Sequence, residues 1–107
     1  MAINLETVTH TWMDPDGGTP NGSVDFVLSG QMDGATEDTT VDTHPITSNL
    51  VDGVLDQPLV PNVNSDLQPD GTYYWVTEHI IGSTDVSYPI TLPTGGPFDL
   101  WTLRQQS

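Results

Sequence analysis

The stretch TYYWVTEHII, Thr72 to Ile81, is an unbroken run of aromatic and β-branched side chains. Such residues suit a pleated surface, so it reads as the strongest strand of the chain. Alternation puts Tyr73, Trp75, Thr77, His79 and Ile81 on one face. Thr72, Tyr74, Val76, Glu78 and Ile80 occupy the other. Both faces carry apolar side chains, which suits a central strand covered on both sides, and burial of both is the expectation. The second reading is a strand whose outer face meets another protein, because an aromatic face left open on a small domain is a contact patch.

The same grammar extends outward. Ser23 to Ser29 alternates, with Val24, Phe26 and Leu28 on one face. Thr7 to Met13, Thr39 to Thr43, Ile46 to Val51, Val54 to Val60, Val86 to Leu92 and Phe98 to Leu103 also read as strands. Asp14 to Gly22 is a long turn built from Asp, Gly and Pro. Asp52-Gly53 is a tight-turn signal and predicts a hairpin. Pro58 demotes the second arm of that hairpin to an edge or broken strand. Gly30 to Asp38 and Pro61 to Gly71 read as polar loops. The pattern predicts one all-β domain over residues 1–107, an antiparallel sandwich of about seven to eight short strands. Residues 1–6 are expected to form an N-terminal arm and residues 104–107 a C-terminal tail.

Charge narrows the function classes. The 107 residues hold 15 acids, a single base (Arg104) and no cysteine, for a net charge of −14. Binding to nucleic acid needs a cationic stripe, so that role is excluded. Anionic membrane surfaces are disfavoured for the same reason, and no apolar run approaches the ~18 residues of a span. The N-terminal residues show no basic and apolar leader pattern, so no signal peptide is expected. Without cysteine there is no disulfide, thiolate nucleophile or Cys-ligated zinc. The acidity reads as a solvated surface in preference to high-salt adaptation.

Chemistry-bearing constellations are weak. Ser, His and Asp are present, but His10, His44 and His79 lie far apart and no Ser sits in a Gly-x-Ser-x-Gly elbow. Asp14, Asp16 and Asp25 occupy relative positions 1, 3 and 12 of a calcium loop. Gly18 and Thr19 break that template, and a plain turn is the preferred reading. No cofactor is expected. Trp12, Trp75 and Trp101 read as lining the core or a subunit interface, with sugar stacking as the alternative.

Several segments carry a family likeness: DPDG–TP–G–V–F–L near the start, PITSNLVDG, LQPDGTYYWVTEHIIG, Tyr88-Pro89-Ile90-Thr91-Leu92-Pro93 and the closing FDLWTL. From Val8 to Leu103 the chain resembles a family of small β-domains in the structural gene clusters of tailed bacteriophages. Gly30 to Thr43 carries least of the likeness. The resemblance implies an immunoglobulin-like or transthyretin-like sandwich and a virion structural protein, not an enzyme. Head-surface (capsid) decoration is the expected role, with a minor tail or fibre protein, or a carbohydrate-binding adhesion module, as alternatives. The partners would be the major capsid protein or other virion proteins, with a homo-oligomer open. Expected contact residues are Asn4, Leu5, Trp75, Trp101, Leu103 and Arg104. GTYYWVTE also resembles a late strand of collagen-adhesin B-type repeats, which crosslink Lys to Asn beside an acid. With no lysine in the chain that bond cannot form, which leaves Glu78 a structural or exposed carboxylate.

Overall fold

The computed structural model describes residues 4–34, 38–63, 67–69 and 71–105. The protein is all-β, with ten strands and one short helix among these residues. The strands are β1 (Glu6–Thr11), β2 (Gly22–Leu28), β3 (Met32–Gly34), β4 (Thr40–Val41), β5 (Ile46–Asn49), β6 (Val54–Leu59), β7 (Leu67–Gln68), β8 (Tyr74–Ile80), β9 (Val86–Ile90) and β10 (Phe98–Asp99), followed by α1 (Leu100–Gln105). They form a four-stranded antiparallel sheet, β5-β2-β8-β9, and a three-stranded sheet, β10-β1-β6, in which β10 runs parallel to β1. A second small sheet, β4-β3-β7, completes the body.

One core joins the layers. Val24 and Phe26 of β2 and Val76 of β8 meet Val8 of β1, Leu55 of β6, and Leu100 and Leu103 of α1, all essentially inaccessible. Burial of an apolar side chain of this size contributes roughly 1.5–3 kcal/mol. This strip sets the strand phases: alternate residues of β2 and β8 point into it, and the intervening ones must point out.

The turn at Asp52-Gly53 forms as expected, with positive φ at both residues (52° and 76°), as a type I′ turn requires. Val51 and Val54 exchange both backbone hydrogen bonds across it. The paired arms end there. β5 joins β2 in the larger sheet, while β6 joins β1 in the other. The predicted hairpin is therefore a corner between layers. A side chain at Gly53 would meet the Trp12 carbonyl oxygen at 2.8 Å, which keeps the corner against β1. Pro58 lies on β6, the edge of its sheet, where a missing N–H costs no ladder bond.

Three segments differ from expectation. β3 and β7 fall inside the predicted loops and pair with each other, burying Met32 and Leu67. Strands of two or three residues leave no period to read. The buried Asn62 holds this region in place: its side-chain amide donates to the Thr72 carbonyl, and its Oδ1 accepts from Leu92 N at 2.6 Å. The third difference is Phe98 to Leu103, predicted as one strand. Only Phe98 and Asp99 pair with β1, and a helix follows. Asp99 Oδ1 accepts from Trp101 N at 2.9 Å, an N-cap that starts the helix. Residues 104 and 105 of the predicted tail belong to α1, and 106–107 lie outside the described residues. At the other end, Glu6 is no loose arm residue. It opens β1, and its carboxylate accepts from Gly95 N and Gly96 N at 3.2 and 2.9 Å. Residues 1–3 lie outside the described residues.

Candidate functional site

The outer face of the four-stranded sheet grades from apolar to polar. Register places Val27, Trp75 and Pro89 side by side on β2, β8 and β9. Tyr73 and Thr91 flank this row and, with Trp75 and Pro89, line a shallow depression of about 320 Å³. Tyr73 and Trp75 are 41% and 45% exposed. Simple burial of both faces of Thr72–Ile81 is thus overturned: the core covers Tyr74, Val76 and Ile80, and nothing within the described residues covers the opposite aromatic face. The next row is Thr47, Asp25, Thr77 and Ser87. Thr47 donates to Asp25 Oδ1 at 2.7 Å, and the Thr77 and Ser87 hydroxyls meet at 2.9 Å.

His79 closes the polar end. Its Nε2 lies 2.9 Å from Asp25 Oδ2 and its Nδ1 2.8 Å from Asp85 Oδ2. Hydrogen bonds to Asp85 and then Asp25 raise its pKa above the ordinary histidine value, against some desolvation. The ring thus ties β2 and β8 to the turn that leads into β9. Asp25 is committed here, away from the Asp14–Gly18 turn, where Gly17 N donates to the Asp14 carbonyl and Gly18 N to Asp16 Oδ1. Asp14, Asp16 and Asp25 therefore do not form a calcium loop. Among the described residues no group of three or more His, Asp or Glu is arranged to hold a metal ion.

A second polar cluster lies where α1 closes the gap between the sheets. A cavity of about 220 Å³ is lined by His10, Trp12, Glu78, Tyr88, Leu100, Trp101 and Arg104. The Tyr88 hydroxyl donates to Glu78 Oε2. The Arg104 guanidinium carbon stacks 4.5 Å from the centre of the Tyr88 ring. Burial, then the Glu78 bond and charge, pushes the Tyr88 pKa far above the ordinary phenol value, and Arg104 opposes this only in part. His10 Nδ1 is bound to Asp99 at 2.9 Å, and its ring meets Trp12 edge-on, centroids 4.5 Å apart.

The predicted contact residues divide. Trp75 and Trp101 are exposed, at 45% and 57%, not lining the core, while Trp12 packs partly against it. Leu103, on the inner side of α1, is fully buried and is not a contact residue. The helix turns its side chain inward where a continued strand would have placed it beside Trp101. Arg104 is engaged on Tyr88. Asn4 is exposed, and Leu5 sits at the rim of an apolar cleft formed with Phe26, Leu28 and Leu59. These residues do not share one surface. Sequence reading also missed an apolar tip: Met13, Val51 and Ile81 are 72%, 71% and 70% exposed. They gather at one end because Trp12 N bonds to Gly53 O and Ile81 N to Asn21 O. Each ends a different predicted strand, so nothing in the sequence brings the three together.

In comparisons with known proteins, the chain matches no family, no curated protein and no solved structure.

Proposed function

We propose that this chain is a non-enzymatic structural module of a tailed-virus particle, an immunoglobulin-like decoration protein seated on the outer capsid surface by the outer face of its four-stranded sheet. The uncovered row of Val27, Trp75 and Pro89 beside Tyr73 carries this reading. The near chain-wide resemblance to phage structural β-domains supports the choice of particle. Large aromatics bury roughly 150–250 Å² each and dominate contact energetics. The adjoining hydroxyls of Thr47, Thr77 and Ser87 supply the polar rim that such contacts carry. A chain with a net charge of −14 repels other acidic surfaces, so the docking surface is neutral or basic.

The test is occupancy of purified particles by quantitative mass spectrometry, with heads and tails separated. The chain is expected to scale with the major shell protein, and Trp75→Ala to cut occupancy at limiting protein about thirtyfold, the effect of losing ~2 kcal/mol. Abundance that tracks tails would place the same face on a tail or fibre. Absence from particles, or full occupancy by the Trp75→Ala protein, would overturn the reading.

A further inference from the structure

β8 carries a second surface on its opposite side. Glu78 shares the inward face with Val76 and Ile80, yet it opens into the cavity under α1 and not into packed apolar core. A carboxylate is costly at such a position unless it is paired. One oxygen, Oε2, takes the Tyr88 proton. Burial and the Glu78 bond hold the phenol pKa high, so Tyr88 keeps its proton and remains the donor to Glu78.

The chain has a single Lys or Arg, and it lies at this cavity. Its guanidinium carbon lies over the Tyr88 ring, 4.5 Å from the centre. Its N–H donors lie in the guanidinium plane. The cavity lining thus includes an acceptor at the Tyr88 hydroxyl, Glu78, and a donor over the Tyr88 ring, Arg104. Trp12 and Trp101 supply flat apolar walls, and His10, its Nδ1 held by Asp99, can contribute only through Nε2.

We infer that this cavity binds a neutral sugar ring. Adjacent hydroxyls of a pyranose both donate and accept, which matches a cavity lined by both a carboxylate and a guanidinium, and its C–H face stacks on indole. The net charge of −14 disfavours anionic ligands. A cationic ligand would contend with Arg104, which already occupies the cation position over Tyr88. The volume, about 220 Å³, lies below the ~300–1,000 Å³ of sites for drug-sized molecules, so it suits one ring. The site rests on inward residues of β8 and on α1, and so is independent of the docking face at Trp75. A module fastened by one side of its sheet would keep this pocket for a terminal sugar of a glycan.

The experiment is amide and indole NMR of the labelled full chain during separate titrations with glucose, galactose, mannose, rhamnose and N-acetylglucosamine. At least one is expected to give saturable shifts at millimolar concentration, centred on the Trp12 and Trp101 indoles and on the amides of Glu78, Tyr88 and Arg104. Trp101→Ala and Glu78→Gln are each expected to weaken that binding about tenfold or more. Trp101→Phe should retain most of it, and Trp75→Ala should leave it unchanged. Trp101 is 57% exposed, so its variants stay folded even if Glu78→Gln does not. No saturable shift with any of the five sugars, or binding that Trp101→Ala leaves intact, would overturn the proposal. Either failure would leave particle occupancy through Trp75 untouched.

Discussion

Tyr74 and Trp75 are neighbours on β8, both large and aromatic, and their surroundings could hardly differ more. Tyr74 is 4% exposed and Trp75 45%. The Tyr74 ring fills the space between the sheets and its hydroxyl donates to the Val60 carbonyl. Burial pushes that hydroxyl's pKa up to about 12, so it remains a donor. Trp75 lies on the far side of the same strand, with Val27 and Pro89 for neighbours. One strand thus divides its aromatic residues between holding the fold and facing outward. Side-chain type does not distinguish the two roles; the side of the pleat does.

Truncation gives the sharpest contrast. Tyr74→Ala is expected to lose about 3–5 kcal/mol, as buried aromatic truncations do. Trp75→Ala should stay within about 0.5 kcal/mol of the parent. Urea unfolding of the two proteins checks both values, and equal losses would mean that Trp75 is covered after all. A gentler change separates the hydroxyl from the ring. Tyr74→Phe is expected to cost about 1 kcal/mol, because the Val60 carbonyl loses its donor while packing survives. A neutral result in the same unfolding assay would assign the whole effect of Tyr74 to packing.

The smallest effect belongs to the polar end of the outer face. Folding raises the His79 pKa, so its bonds to Asp85 and Asp25 stabilise the protein fully below the unfolded value of about 6.5. That contribution is lost as pH rises through the higher folded value. Melting temperatures taken between about pH 5 and pH 8 should show a His79-dependent fall that His79→Gln removes. A profile unchanged by His79→Gln would show the ring to be a spectator on this face.

The two patches are also unequally legible. Trp75 stands out in the sequence as an outward candidate because it alternates with Tyr74 and Val76 within a run long enough to show a period. The cavity at α1 draws Trp12 from just beyond β1, Glu78 from β8, Tyr88 from β9 and Arg104 from the helix, four segments whose spacing carries no signal. The helix itself was hidden because FDLWTL is apolar and short. Its start depends on one Asp99 side chain that caps Trp101 N and also binds His10. That same turn buried Leu103, which a strand reading had placed among the contacts.

The amino-acid order alone determined the strand-rich class, the turn at Asp52-Gly53 and the partition of Thr72–Ile81 into two faces. All of these follow from local backbone preference and the two-residue period of a pleated chain. Packing between distant segments decided which face was sealed, where β5 and β6 parted company, and that Glu78, Tyr88 and Arg104 met. Such choices depend on the opposing layer, and the linear order of residues does not state which layer will lie opposite.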